Sequence, residues 1–415
     1  MKTVKLSSYP YPVQVSELSN GLTVITMSMP TRRVRARFVV RAGSVLDGEF
    51  PGCAHFLEHM MYQGPDRDII HPKLYKLAIK GVEAGAATGQ VFMEFDVQGM
   101  DTHIAQMLGG IAEVVFSFHT SVTAMERERA VIRQEMYQDA QDRQYEEWLM
   151  KSLLPDYPHL QHKPAGTEEV VQNITVDALK RFHSRYFYGR NSALVVAGSV
   201  HHQEVLDIAS GLDIPNNLFR PNGPDKLLYP RYGRHQYCCD DRPPEVILYF
   251  PGAENEEDDA LIAFVCDMLA GSMLSLLIRR LRHQEQKIYN AGANPWGSLP
   301  LNCTLVGAPT HPDLLDEVER EIMEEIFLLA SGDVDRDLFP MVKNQWADHH
   351  ETWEWETSAD DWVEAISEGW LMGNLMKDVH RGQVVAAATM RDIMRVVEKY
   401  FCGKHGCVHV LPATD

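Results

Sequence analysis

The sequence predicts an α+β fold in two duplicated domains, each a mixed or mostly antiparallel sheet with helices packed on one side. Three observations carry this. The chain has 415 residues, and at about 150 residues per domain that length holds two or three domains. The order of strand-like and helix-like segments in the first half, about 200 residues, recurs in the second, which marks an internal duplication. Between the halves, from Ser210 to Gly233, the pattern lapses into proline and glycine signals at Asp213-Ile214-Pro215, Pro221-Asn222-Gly223-Pro224 and Tyr229-Pro230. The boundary is therefore expected near Pro221, with domains over 1–220 and 221–415.

Taken in order, Gly21 to Met27 and Arg35 to Ala42 read as strands, from their alternation and from β-branched Val24, Ile25, Val39 and Val40. Phe50-Pro51-Gly52 leads into a helix from Cys53 to Gln63, stopped by Gly64-Pro65. A longer helix is expected to start at Thr123-Ala124-Met125-Glu126, which fits a capping box, and to run at least to Met136. Asn191 to Val200 is a continuous apolar run of the buried-strand type. After the linker come a strand at Glu245 to Phe250, a helix from Asp259 to Leu269 and a strand at Leu301 to Gly307. A helix from Pro312 to Leu329 then places Leu315, Val318, Ile322 and Ile326 on one face. Aligning Gly64 with Gly271 sets His55, Glu58 and His59 opposite Ile262, Val265 and Cys266, so only the first half keeps polar chemistry on that helix.

Composition bounds the function. With 45% apolar and 23% charged residues the chain is globular, not disordered or fibrous. A net charge of −19 argues against nucleic acid or an anionic membrane as partner and favours neutral or basic ligands. Seven cysteines form no regular disulfide framework, and the first residues resemble neither a secretory signal nor a transit peptide. No apolar stretch approaches the roughly 18 residues of a membrane span. The expected location is the cytoplasm. Eighteen histidines are more than structure alone usually requires.

Two of those histidines stand out. In His55-Phe56-Leu57-Glu58-His59 the imidazoles are one helical turn apart on one face, with a carboxylate beside them. Two neutral imidazoles can bind a zinc ion while the carboxylate reaches a water at the metal, and the order His-x-x-Glu-His is the inverzincin signature. By composition alone such a pattern arises in about one chain of this kind in ten, and histidines packed in a helix give it too. A zinc site of this type also needs a third protein ligand and an open fourth position. Glu126 to Glu135 offers candidates: Glu128 and Glu135 lie two turns apart on one helix face, although a solvated charged face reads the same way.

Together, HFLEHMMYQG and ERERAVIRQE, with Glu135 lying 76 residues beyond His59, resemble the pitrilysin family of zinc peptidases. The likeness is nearest to its small bacterial members and to the catalytic subunit of mitochondrial processing peptidase. It extends over most of the chain. Gly166-Thr167-Glu168 and Ile174 to Val200 match the end of the family's first domain, and Gly271-Ser272-Met273, Arg282 and Tyr289 resemble the arginine–tyrosine pair of its second. The resemblance implies one zinc ion per chain held by His55, His59 and Glu135. It implies Glu58 as general base, Glu128 as a supporting carboxylate, Arg282 as a holder of substrate carbonyl and Tyr289 as a donor to the oxyanion. Gly85 and Ala86 fall in the strand that takes substrate as an added strand. Here the chain departs from the family: Gly81-Val82-Glu83-Ala84-Gly85-Ala86-Ala87-Thr88 carries Gly85 at the usual asparagine, and Phe95 replaces a usual tyrosine.

The function implied is a zinc endopeptidase that hydrolyses unfolded peptides inside a clamshell chamber, working as a homodimer, with a heterodimer of related chains as the alternative. A dedicated leader-peptide maturation protease is the second reading, and a non-catalytic peptide-binding or structural subunit the third. Weaker signals remain. Cys402, His405, Cys407 and His409 could hold a second metal, although their spacing fits no regular zinc module. Trp346/Trp353 and Trp355/Trp362 recur at heptad spacing, as on a buried helix face. His201-His202 and His349-His350 read as exposed polar pairs, and Glu254 to Asp259 as a solvated turn charging a helix N-terminus.

Overall fold

The computed structural model describes residues 4–6, 11–64, 70–217, 228–296, 301–356, 358–375 and 377–413. The described residues form twelve strands. In the first half they are β1 (Val4–Leu6), β2 (Val13–Glu17), β3 (Thr23–Ser28), β4 (Arg33–Val40), β5 (Glu83–Thr88), β6 (Met93–Met100) and β7 (Ser192–Gly198). In the second they are β8 (Arg234–Cys238), β9 (Glu245–Pro251), β10 (Gly292–Trp296), β11 (Cys303–Pro309) and β12 (Gly406–Leu411). The helices that matter below are α1 (Cys53–Tyr62), α2 (Ile104–Phe116), α3 (Val122–Gln138), α4 (Val176–Tyr186), α5 (Glu256–Ala270), α6 (Leu315–Ser331), α7 (Ala359–Met372) and α8 (Met390–Tyr400).

Two sheets result, in the orders β1-β2-β3-β7-β4-β6-β5 and β10-β11-β9-β12-β8. Their pairings repeat. β5/β6, β6/β4 and β4/β7 are antiparallel and β3/β7 parallel; likewise β10/β11, β11/β9 and β9/β12 are antiparallel and β8/β12 parallel. The α+β duplication read from the sequence is thus present over five strands of each sheet, β1 and β2 being additions to the first, with α1 and α5 at the same point of each repeat. Ile262, Val265 and Cys266 on α5 are buried among apolar neighbours, so the second copy of that helix is core at the positions where α1 carries His55, Glu58 and His59.

Each sheet forms because its strands alternate. On β4, Val34, Ala36, Phe38 and Val40 point into a core shared with Phe56 and Met60 of α1, Met107, Leu108 and Ile111 of α2 and Leu179 and Phe182 of α4. Arg35, Arg37 and Val39 face the other way, where α7 lies across β4 and β7. That second layer has its own logic. Trp362, Val363 and Ile366 of α7 are fully buried. Asp360 pairs with Arg35 at 3.6 Å, and Arg41 donates to the Trp370 carbonyl at 2.8 Å while stacking over its ring at 3.9 Å. One helix therefore joins the sheet from the side opposite the others.

The chain divides into two compact units that exchange segments. The first comprises Met1–Glu147, Pro158–Asp225 and Glu356–Met376, the second Trp148–Tyr157, Lys226–Trp355 and Lys377–Asp415. A single cut near Pro221 does not describe this, because α7 buries its apolar face on the first sheet; Pro221 itself lies outside the described residues. The tryptophan pattern divides in the same way. Trp346 packs on the second core and donates to Asp267 at 2.7 Å, whereas Trp362 and Trp370 belong to α7, so the heptad run spans two helices. The side chains of Trp353, Trp355, His349 and His350 lie outside the described residues.

Three local expectations change. α3 starts two residues early, capped by Ser121 in place of Thr123; the Ser121 hydroxyl accepts the Ala124 N–H at 3.2 Å. His202 is buried, its ring bonded to Thr26 Oγ1 at 2.8 Å and Ser16 Oγ at 2.9 Å, because it opens a helix that packs on β3. Asp258, in the acidic run, is buried too and bonded to Tyr400, Arg395 and Lys399 of α8 at 2.7, 2.8 and 3.1 Å. The run begins α5 as expected, with Asn255 as its N-cap, but one of its carboxylates is a core anchor.

Candidate active site

α1 is set by its N-terminus. The Asp47 carboxylate accepts the N–H groups of Gly52 and Ala54 at 2.7 and 2.8 Å, doing from five residues upstream what a capping side chain does. Gly52 lies at φ +100 and Gly166 at φ +70; a Cβ on Gly166 would stand 2.1 Å from the Pro51 carbonyl oxygen. Only glycine allows this approach, which seats the Gly166-Thr167-Glu168 loop against the start of α1. Thr167 then caps the helix Glu168–Asn173, and Glu168 pairs with Arg133 of α3 at 2.6 Å. Two sequence motifs far apart are one junction.

From that base the apolar face of α1, Cys53, Phe56, Leu57, Met60 and Met61, enters the core and turns His55 and His59 toward α3. α3 answers with buried Ala124, Met125, Ile132 and Met136. Its charged residues are not simply solvated. Arg129 is buried over the Phe56 ring and donates to the carbonyls of Val171 and Ile174, and Glu128 is 6% exposed. Glu135, two turns beyond Glu128, is half exposed.

These elements bring the three sequence-predicted ligands together. His55 Nε2 lies 3.4 Å from Glu135 Oε1 and His59 Nε2 lies 3.3 Å from Glu135 Oε2. Their ligand atoms all fall within 4.8 Å of one another. A tetrahedron with bonds of about 2.1 Å has edges of about 3.4 Å, so the donor set is spaced for zinc. The far side of one ring is fixed as well: His59 Nδ1–H donates to Glu128 Oε1 at 2.8 Å, which leaves Nε2 as the lone-pair donor. Gln63, just past α1, donates to the other oxygen of Glu128 at 2.5 Å. His55 Nδ1 is buried with no hydrogen-bond partner among the described residues. Burial alone would lower His59, but its bonds to Glu128 and Glu135 and the charge of Glu58 outweigh it and push the ring up to about 9. Hydrogen bonds from His55 and His59 hold the Glu135 carboxyl far below the usual range. A metal ion would take the place of the proton that Glu135 shares with the Nε2 atoms of the rings, leaving the His59 Nδ1–H bond to Glu128 in place.

Glu58 stands on the same helix, held by strand β5. Thr88 Oγ1 donates to Glu58 Oε2 at 2.5 Å, and the Tyr62 hydroxyl donates to the Gly85 carbonyl at 2.5 Å. β5 ends its sheet, so one of its hydrogen-bonding edges has no strand partner among the described residues. Gly85 and Ala86 lie on it, and a Cβ on Gly85 would meet nothing within 4 Å. Phe95 of β6, opposite Ala86, is buried in the core.

Arg282 and Tyr289 are carried by the second unit. Arg282 lies in a π-helical turn, Ile278–Gln284, and its guanidinium sits 4.8 Å from the centre of the Tyr289 ring, which is 77% exposed. The pair expected from the sequence does meet. Asp47, Gln63, Tyr62 and Thr88 had no role in the sequence reading. Gln63 carried the one local signal, standing one turn after His59.

The fold and site define an architecture of two repeats, the first of which gathers His55 and His59 of α1 and Glu135 of α3 into a zinc-type donor set. Comparison with known proteins agrees. Residues 23–166 match the family model described as Insulinase (Peptidase family M16), and residues 173–346 match that described as Peptidase M16 inactive domain. An uncharacterized zinc protease of Rickettsia bellii is 26% identical over 326 residues, covering 76% of this chain and 78% of that one. A protease from Helicobacter pylori superposes with a TM-score of 0.82 at 19% identity, over 97% of this chain and 100% of that one. Pitrilysin superposes with a TM-score of 0.79 at 16% identity, over 99% of this chain and 46% of its own. The chain belongs to the pitrilysin-like M16 family of zinc proteases. The inactive-domain match begins late in the first repeat and includes α5, which is apolar where α1 carries His55, Glu58 and His59. No helix among the described residues is long and apolar enough to cross a membrane.

Proposed function

We propose that this chain is a zinc-dependent endopeptidase that takes unfolded peptide as an added strand on β5. One observation carries the reading: His55 Nε2, His59 Nε2 and the Glu135 carboxylate converge, with Glu58 beside them on the strand side. Zinc bound there supplies Lewis acidity, polarising a carbonyl and making a water acidic near neutral pH. The remaining steps belong to the protein. The open edge of β5 pairs with the peptide backbone through Gly85 and Ala86 and lays the scissile bond along α1. Glu58 takes the proton of the attacking water and passes it to the leaving amine. Thr88 keeps that carboxylate in one position throughout. Arg282 holds a substrate carbonyl, and Tyr289 donates to the oxyanion that develops on the substrate.

Because one chain carries both the metal set and the Arg282/Tyr289 pair, we take the working form to be a homodimer around a chamber that admits short peptides. Equilibrium sedimentation tests that. The chemistry is tested by Glu58→Gln, which keeps size and hydrogen bonding but cannot take a proton. Cleavage of a peptide mixture, followed by mass spectrometry, should stop while zinc content stays at that of the parent. A Glu58→Gln protein that still cuts at the parent rate would end this mechanism.

A further inference from the structure

The second unit contains a cluster that the peptidase chemistry does not use. On β12 the alternation of a strand sends Cys407 and His409 to the same side, and both are buried, at 4% and 3% exposure. α6 packs against that side and brings Glu319, whose Oε2 lies 2.7 Å from His409 Nε2. The Cys407 sulfur lies near the same carboxylate. The sulfur, the imidazole nitrogen and a carboxylate oxygen all fall within 4.8 Å of one another. Of the four residues suspected from the sequence, Cys402 and His405 stay apart: His405 packs on the Phe250 ring at 5.6 Å and bonds to the Gly403 carbonyl.

The mouth of this cluster is charged. Arg234, on the neighbouring strand β8 and directly opposite Cys407, places Nη2 2.8 Å from Glu319 Oε2 and 3.5 Å from His409 Nε2. It also pairs with Asp316, one turn before Glu319 on α6. Both residues at the mouth are exposed, Arg234 at 52% and Asp316 at 87%, so the guanidinium can swing out and the carboxylate swing in. A positive group already stands where these donors converge.

We propose that Cys407, His409 and Glu319 form a second, non-catalytic zinc site, with Arg234 as the cation that a zinc ion displaces and Asp316 as its fourth ligand. Thiolate, imidazole and carboxylate together select zinc over magnesium or calcium, and a set without an open position is structural rather than catalytic. Ligation by a thiolate releases the thiol proton to solvent, so affinity rises with pH. An ion there would tie β12 to α6.

Cobalt(II) tests this independently of the peptidase reading, because the His55/His59/Glu135 set has no sulfur. Titrated into the metal-free full-length chain under reducing conditions, cobalt should bring up a near-ultraviolet thiolate-to-cobalt charge-transfer band that is complete once both sites are filled, by two equivalents. Zinc should bleach it. Cys407→Ser should remove the band and leave the sulfur-free cobalt spectrum intact, and Glu319→Gln should weaken the sulfur site by about 100-fold or more, beyond the loss of an outer-shell partner. Arg234→Ala should tighten it a few-fold, the worth of an exposed ion pair. A folded parent chain without the band, a band that survives Cys407→Ser, or weaker binding in Arg234→Ala would each overturn the proposal and leave Arg234, Glu319 and His409 as an ion-pair network only.

Discussion

Glu128 offers a quantitative test of how the metal set is held. Its carboxylate is buried and bridges His59 Nδ1 at 2.8 Å and Gln63 Nε2 at 2.5 Å, so both oxygens are committed. In Glu128→Gln one end of the new amide can still accept from His59. The other end then presents an N–H₂ to the N–H₂ of Gln63, and the charge that made His59 a stronger electron donor is gone. A hydrogen bond to a charged group contributes about 1.5–3 kcal/mol. At about 1.4 kcal/mol per tenfold, zinc affinity should fall by roughly 10- to 150-fold, in line with the 10- to 100-fold loss typical of an outer-shell partner. The assay is competition for zinc against a chromogenic chelator at fixed pH, with circular dichroism to confirm the fold. Parent-like affinity in a folded Glu128→Gln protein would refute the idea that Glu128 positions His59.

Other perturbations read other parts of the structure. Gly166→Ala forces a Cβ to within 2.1 Å of the Pro51 carbonyl oxygen at φ +70; chemical denaturation should show a loss of about 1–3 kcal/mol, and parent-like stability would contradict the tight junction with α1. His183 is stacked on Phe187, donates Nε2–H to the Val115 carbonyl at 2.8 Å, and is lowered by burial from 6.5 to about 4. The unfolded chain therefore takes up this proton first as pH falls. The stability it carries is complete above about pH 6.5 and drains away toward about pH 4, by roughly 3 kcal/mol. Urea unfolding at the two ends of that window should show this slope in the parent and lose it in His183→Gln; equal slopes would sink the assignment. Tyr289→Phe should lower kcat by about 100-fold at unchanged zinc content if its hydroxyl serves the oxyanion, and an unaltered kcat would remove it from that role.

Much of the fold was legible because period and propensity agree: β3, β4, β7, β9 and β11 all lie where β-branched alternation or apolar runs pointed. The metal set was legible for a simpler reason, that His55 and His59 are one turn apart on a helix and Glu128 and Glu135 two turns apart on another. Most of what escaped depends on contacts between distant segments. Thr88 meets Glu58 and Glu319 meets His409 only after the sheets form, and no local pattern marks them. Periodicity says which face of a helix is apolar, but not what will cover it. That is why α7, with its tryptophans, gave no sign of belonging to the first sheet. His202 misled in the same way, since a polar pair in sequence says nothing about the Ser16 and Thr26 hydroxyls that await it.

The reciprocal exchange of segments has a practical corollary. Cut at the proline-rich stretch, the chain would not fall into two self-sufficient pieces. The N-terminal fragment would lack Ala359–Met372 and expose the strand faces on which Trp362, Val363 and Ile366 rest, and the C-terminal fragment would forfeit Trp148–Tyr157. Each half holds a piece the other needs to be soluble. A protease nick between them should leave a complex that stays associated, and the two genetic halves should regain a native state only when expressed together, with both borrowed segments left in place.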